Sequence, residues 1–336
     1  MKQRLESFLR GAIAGLQGPM RLEPIAGGQS NPTFFVSFDN QSMVLRKQPD
    51  GDVLQSAHAV DREARILQAL VGTAVPVPRV LLFHAGRDVV GTPFYLMERL
   101  QGRIFPNCAA PGLEPTERRA VYLAMAKTLA QLHRVDWEAI GLADYGRAGG
   151  YFTRQIARWS RQWVASRTRE NADVEHLIEW LSAHVPEEAQ TSISHGDYRL
   201  GNLMFHPSEP HVVGVLDWEL STLGHPLADV AFNCIAYHTL PTEYGGLRGL
   251  DLAALGIPPQ AEYLRHYNLH AGCADAVTGF HMAFALFRLA VIFEGIAGRA
   301  AQGSAVSGNA SEVGQLCPAF AARAMEFVDG RLPSDA

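Results

Sequence analysis

The chain has 336 residues, 47% hydrophobic and 19% charged, which is the make-up of an ordinary soluble globular protein long enough for two lobes. A net charge of −5 at pH 7 gives no attraction for nucleic acid, so no such partner is expected. Cys108, Cys234, Cys273 and Cys317 stand far apart with no Cys-x-x-Cys pair, which excludes a disulfide frame or a zinc ribbon and fits reduced thiols in a cytoplasmic protein.

Met1 to Glu6 carries charges where a signal peptide needs an apolar core, so no leader is expected. Residues 5 to 16 have the spacing of a short amphipathic helix, which Gly18-Pro19 stops. Arg21 to Ile25 reads as a strand, Gly27-Gly28-Gln29-Ser30-Asn31 as a turn and Thr33 to Phe38 as a second strand. After Asp39-Asn40, Ser42 to Lys47 reads as a third. A strand, a glycine-rich turn and a strand suit a phosphate group. Glycines let backbone N–H groups approach an anion, and Ser30 and Asn31 can donate as well. No Gly-Lys-Ser/Thr follows and no helix begins there, so this is not a Walker loop. Taken alone, the same glycines also serve an ordinary hairpin turn. Alternation along the third strand sends Arg46 and Lys47 to opposite faces, so only one can point inward at a phosphate. Both are equally what a solvated strand edge carries.

His58 to Leu70 reads as a helix with Val60, Ala64, Leu67 and Leu70 near one face, and with Glu63 between Arg62 and Arg65. Pro76-Val77-Pro78 ends that segment, and Val80 to His84 and Phe94 to Glu98 follow as the fourth and fifth strands. From Glu114 the pattern turns helical: Pro115 to Val135, Gly150 to Arg169 and Asp173 to Ala183. Arginines stand at 147, 154, 158, 161, 167 and 169 with no acid among them, interleaved with Tyr151, Phe152, Trp159 and Trp163. Arg154, Arg158 and Arg161 share a helix face. That face is either a solvated basic surface over buried aromatics or an anion-binding wall built of arginine forks. The second reading presents Arg154, Arg158 and Trp159 to an acceptor.

The chemistry concentrates in Ser194-His195-Gly196-Asp197-Tyr198-Arg199-Leu200-Gly201-Asn202 and in Asp217, at the end of the apolar run Val212 to Leu216. Leu203 to His206 and Val212 to Leu216 read as a small hairpin, which folds Asp217 back beside Asn202. A carboxylate, an amide and a second carboxylate at this spacing form a phosphoryl-transfer set. Asp197 accepts the proton of an attacking hydroxyl, and Asn202 and Asp217 hold Mg²⁺ on nucleotide phosphates. Glu219 either adds a metal contact or bonds within the turn. Asp and Asn are common in turns, but this combination followed by Asp-Trp-Glu is much rarer by chance. Pro226 begins another helix, and the C-terminal third reads as helices at about Pro259 to Ala271, Thr278 to Gly298 and Ser311 to Gly330, with Gly303 to Gly308 as a loop. The apolar run Phe280 to Ala297 contains His281, Arg288 and Glu294, which argues for a buried helix over a membrane span. Phe280, Phe284, Phe287 and Val291 are spaced as its core face.

His195-Gly196-Asp197 through Asn202, followed by Leu216-Asp217-Trp218-Glu219, resembles the aminoglycoside phosphotransferase-like kinase superfamily, which includes the choline kinases. There, His-Gly-Asp stands where protein kinases have His-Arg-Asp. The resemblance runs from about Arg21 to about Arg299 and is nearer to the branch fused to, or encoded beside, acyl-CoA dehydrogenases. It implies the α+β class and a protein-kinase-like two-lobed fold. Residues 1–100 would form an N-lobe with a five-stranded antiparallel sheet plus a helix. Residues 101–336 would form a mainly helical C-lobe with the catalytic loop and the acceptor site. It implies that Arg46 replaces the usual lysine, unless the register slips to Lys47, and that Glu63 pairs with that cation. The Glu98 carbonyl and the Leu100 N–H would meet the adenine edge, with Met97 behind. Asp229 would brace the catalytic loop, and His195 would orient it. ATP and Mg²⁺ would be the cofactors and a small-molecule hydroxyl the acceptor. The interval from Asp217 to Asp229 leaves no room for a long activation loop, which argues against a peptide acceptor. An aminoglycoside is polycationic and would meet the arginine-rich segment unfavourably. An anionic hydroxy acid or hydroxyacyl-CoA fits better, with a functional link to an acyl-CoA dehydrogenase. The replaced lysine leaves a nucleotide-binding pseudokinase as the alternative.

Overall fold

The computed structural model describes residues 1–25, 31–49, 59–273, 276–301 and 310–331. Five short segments, β1 (Arg21–Pro24), β2 (Thr33–Ser37), β3 (Ser42–Lys47), β4 (Val80–His84) and β5 (Phe94–Glu98), pair antiparallel in the order β1-β2-β3-β5-β4. Because side chains alternate, Met43, Leu45, Phe94 and Leu96 lie on one face of the sheet. There they pack with Leu5 and Leu9 of α1 (Lys2–Ala12). The other face carries Val44, Arg46 and Tyr95, with Arg46 directly opposite Tyr95 in the β3–β5 ladder. Helix α2 (Val60–Leu70) lies on that side and buries Ala64, Ile66 and Leu67. Helix α1 begins and ends earlier than the expected 5–16. Ile13 is extended and Gly15 has a φ of 79°, so the chain leaves the helix there although the apolar spacing continues.

The remainder is mainly helical: α3 (Pro115–His133), α4 (Tyr151–Ser166), α5 (Ala172–Ala183), then four short strands, then α6 (Pro226–His238), α7 (Leu252–Leu255), α8 (Gln260–Ala271), α9 (Gly279–Ala301), α10 (Ala310–Gly314) and α11 (Leu316–Val328). The four strands form two antiparallel pairs: β6 (Ser192–Ser194) with β9 (Thr222–Gly224), and β7 (Leu203–Phe205) with β8 (Val212–Val215). The β7–β8 hairpin matches its sequence reading. The β6–β9 pair was not anticipated, because three-residue strands are too short to show a period.

Helix α9 is long and apolar enough to cross a membrane by length and composition, but 89% of its most apolar stretch is buried inside the protein. It packs on α11, α6, α4 and α5, so its apolar surface answers to a protein core. The single helix expected over Ser311 to Gly330 divides into α10 and α11. Gly314 ends α10 against α9 so closely that an added Cβ would lie 2.7 Å from the Ala297 Cβ.

Candidate active site

The loop that follows β6 is held from below by one buried carboxylate. Asp229, in the first turn of α6 and 1% exposed, accepts the Ser194 hydroxyl at 3.0 Å and the N–H groups of His195 and Gly196 at 2.6 and 2.9 Å. Burial alone would raise its pKa. His133, at the end of α3 with Nε2 3.6 Å away, and the backbone donors outweigh burial and hold it below the ordinary carboxylate value. Arg288 of α9 donates to the Gly196 carbonyl. Gly196 has a φ of 82°, and a Cβ there would lie 2.7 Å from the Leu220 carbonyl oxygen, so the His-Gly-Asp turn needs glycine.

His195 ties the two halves of the site together. Its Nδ1 accepts the Asp197 N–H at 3.2 Å, and its Nε2 donates to the Leu216 carbonyl at 2.9 Å. That pattern assigns the proton to Nε2. The Leu216 N–H in turn bonds the Asn202 carbonyl at 2.9 Å, and Asp217 comes next in the chain. Asp217 takes a φ of 65°, uncommon for a residue with a side chain. The Asn202 amide nitrogen donates to the Asp197 carboxylate at 2.8 Å and to the Asp197 carbonyl at 2.9 Å. Asp197, Asn202 and Asp217 therefore converge, joined by backbone as well as side-chain bonds.

From the N-lobe, Arg46 reaches the same place. Its Nε lies 2.8 Å from Glu63, and its Nη2 lies 2.7 Å from Asp217 and 3.3 Å from Glu219. Burial works against the guanidinium charge, but Glu63 and Asp217 outweigh it and raise its pKa above the ordinary arginine value. For Glu63 the balance runs the other way. Burial raises its pKa despite Arg46 and despite hydrogen bonds from Tyr95 and Asn31. Lys47 lies on the opposite face of β3, 3% exposed. Glu63 is no solvated acid among its arginine neighbours. Arg62 and Arg65 turn away to the Tyr145 carbonyl and to Asp144 respectively.

Gly28 and Ser30 lie outside the described residues. Asn31 is 2% exposed and its Nδ2 donates to Glu63 at 2.5 Å, because a buried carboxyl group needs donors. The Glu98 side chain accepts the Arg79 N–H at 2.9 Å, and the Leu100 side chain packs over Gly214 of β8.

A cavity of about 230 Å³ adjoins the catalytic loop, lined among others by Cys108, Tyr122, Met125, Arg199, Phe232 and Leu289. Its cation is Arg199, whose Nε lies 3.4 Å from Asp197. Sequence reading passed over Arg199, although a cation two residues after Asp197 was visible. Arg154, Arg158 and Trp159 do not line this cavity. Arg154 folds back onto the carbonyls of Arg147 and Gly149, which the turn before α4 leaves exposed. Trp159 is 8% exposed, with the Arg158 guanidinium 5.2 Å and that of Arg288 5.5 Å from its ring centre. Partial burial and the neighbouring Arg288 charge lower the Arg158 pKa from its ordinary value.

Residues 21–273 match the model of a family described as the phosphotransferase enzyme family. The chain is 44% identical over 328 residues to mouse acyl-CoA dehydrogenase family member 10, which covers 96% of this chain and 31% of that protein. It is 37% identical over 302 residues to human acyl-CoA dehydrogenase family member 11, covering 88% of this chain and 39% of that protein. The chain thus spans about a third of the length of these curated relatives. Among solved structures it is similar to a candidate aminoglycoside phosphotransferase from Ralstonia eutropha, with 41% identity, a TM-score of 0.89 and 98% of each chain covered. A mutant aminoglycoside phosphotransferase APH(4)-Ia, in complex with ADP and hygromycin B, shares the fold at 16% identity and a TM-score of 0.61, covering 95% of this chain and 98% of that one.

Proposed function

We propose that this chain, which belongs to the phosphotransferase enzyme family, is an ATP-dependent small-molecule kinase whose acceptor is an anionic, partly apolar hydroxy compound. The class of reaction, transfer of a phosphoryl group to a hydroxyl, goes with the family and the kinase-like fold. One observation carries the finer reading. Arg199, 3.4 Å from Asp197, lines a largely apolar cavity and is its cation. A hydroxy acid or hydroxyacyl-CoA has the apolar body and the anionic end that such a cavity would take. The names of the relatives support a functional link to an acyl-CoA dehydrogenase.

Each residue then has a task. Asp197 orients the acceptor hydroxyl and takes its proton, and Asn202 and Arg199 keep its carboxylate aimed. Asn202, its amide nitrogen committed to Asp197, offers the amide oxygen, and Asp217 offers a carboxylate. That oxygen-only donor set fits a hard cation such as Mg²⁺. When bound, Mg²⁺ neutralises charge on the β- and γ-phosphates. Arg46, fixed by Glu63, provides a cation for phosphate, and an arginine fork does so bidentately. The Glu98 carbonyl and the Leu100 N–H would take the adenine edge. His195 and Asp229 hold the loop, and Glu219 steadies Arg46.

Arg46→Ala is expected to raise the apparent KM for ATP or to lower turnover, and Lys47→Ala to do less, in steady-state assays with varied ATP. The reverse order would put the phosphate contact on the other face of the strand. Activity on an anionic hydroxyacyl thioester is expected to weaken as salt rises, because exposed charge pairs are screened. Kanamycin-like polycations are expected to be poor acceptors, and their efficient phosphorylation would overturn the acceptor class. The Arg46–Asp217 ion pair favours one rival, a nucleotide-binding protein without turnover. Nucleotide-induced thermal stabilisation with no ADP release across a panel of hydroxy acids would select that rival.

A further inference from the structure

We propose that His206, Glu209 and His211, at the tip of the β7–β8 hairpin, form a binding site for a zinc-like transition-metal ion, chemically distinct from the Asn202–Asp217 pair. One ligand atom from each of the three residues lies within 4.8 Å of the others. The two imidazoles stack with centroids 4.8 Å apart, and Glu209 Oε2 is 3.2 Å from His211 Nδ1. Ligand atoms around a tetrahedral zinc stand about 3.3 Å apart at bond lengths near 2.0–2.1 Å, so small side-chain rotations suffice.

The backbone under these side chains is already held. The His206 N–H bonds the His211 carbonyl at 2.9 Å and closes the hairpin. Arg103, from outside the hairpin, exchanges two backbone bonds with Phe205 at 2.8 Å. Its guanidinium donates to the carbonyls of His206 and Glu209 at 3.1 and 3.4 Å. The Ser208 N–H donates to His206 Nδ1 at 3.4 Å, and the Ser208 Oγ lies at the same distance from it. Two imidazoles and one carboxylate suit zinc and leave a fourth position for water, whereas Mg²⁺ prefers oxygen ligands. Glu209 and His211 are exposed and His206 half-buried, so an ion can enter without unfolding the loop.

The location gives the site a consequence. Strand β7 starts directly after Asn202, and β8 ends two residues before Asp217. An ion clasping the tip restrains the hairpin from whose base both of these residues project. A second histidine pair among the described residues, His266 and His270 on α8, has centroids 4.6 Å apart, but the Glu262 on the same helix is engaged by Arg119.

The test is calorimetric titration of Zn²⁺ into the chelator-treated full chain, with Mg²⁺ present in excess, alongside thermal melting. The expected result is one site per chain and a Zn²⁺-dependent rise in Tm. Affinity should fall about tenfold or more in His211→Ala and in His206→Ala, and less in Glu209→Gln. His266→Ala should bind as wild type does. Metal-free melting equal to wild type shows that each exposed variant still folds. Absence of a Zn²⁺ site, unchanged affinity in both His206→Ala and His211→Ala, or loss of the site in His266→Ala would overturn the proposal.

Discussion

Asp197→Ala is expected to lose phosphoryl transfer almost completely, with turnover down roughly 10²–10⁴-fold, while nucleotide affinity stays close to wild type. The reason lies in its contacts. Asp197 bonds Asn202 and Arg199 on the C-lobe side, and none of its bonds goes to Arg46 or Glu63. Removing its carboxylate takes the proton acceptor from the hydroxyl and leaves the N-lobe cation in place. The side chain is partly exposed and sits above a loop fixed independently by Asp229, so the fold should survive. Steady-state kinetics and nucleotide titration on one preparation separate the two effects. Wild-type turnover in this variant would remove Asp197 from the chemistry.

Asp217→Ala is expected to abolish productive Mg²⁺·nucleotide binding. A metal acting on phosphate oxygens supplies several kcal/mol of charge stabilisation, so a loss of at least about 10²–10³-fold in kcat/KM should follow. The same change deprives Arg46 of one partner, but Glu63 at 2.8 Å and Glu219 at 3.3 Å remain, so the guanidinium is not left as an unpaired buried charge. Thermal stability should therefore fall far less than activity. Titration with Mg²⁺ at fixed nucleotide reads the effect, and an unchanged Mg²⁺ dependence would mean that the metal is held by other groups.

Much of this architecture was legible where function and local pattern coincide. Strands β3, β4 and β5 run over the segments read as strands, because a sheet covered on both faces leaves short, nearly continuous apolar runs between turn residues. The spacing of Asp197, Asn202 and Asp217 implied a hairpin between them, and the β7–β8 hairpin brings them together. What the sequence hid depends on contacts between distant elements. His133 and Tyr267 sit far along the chain from Asp229 and from each other, and nothing local marks the chain from Tyr267 through His133 to the catalytic loop. Arg288 marks α9 as a buried helix of a protein core, but nothing local shows that it bonds the Gly196 carbonyl. The helix carrying Arg154 and Arg158 was foreseen, but not the capture of Arg154 by carbonyls of the turn before it, which turns that side chain back onto its own loop. Asn31 is a related case: a small polar residue beside a glycine turn resembles a phosphate donor, and only the tertiary fold brings a buried Glu63 to its amide.

The most direct measurement is the transfer of label from γ-labelled ATP to a matched pair of anionic acyl compounds, one bearing a hydroxyl and one lacking it, with wild type and Asp197→Ala side by side. The expected result is a labelled, phosphorylated product from the hydroxy compound with wild type alone, and none from the compound without the hydroxyl. Label transfer that ignores the hydroxyl, or nucleotide binding without transfer to any hydroxy compound in a broad panel, would contradict the assignment of this site as a small-molecule hydroxyl kinase.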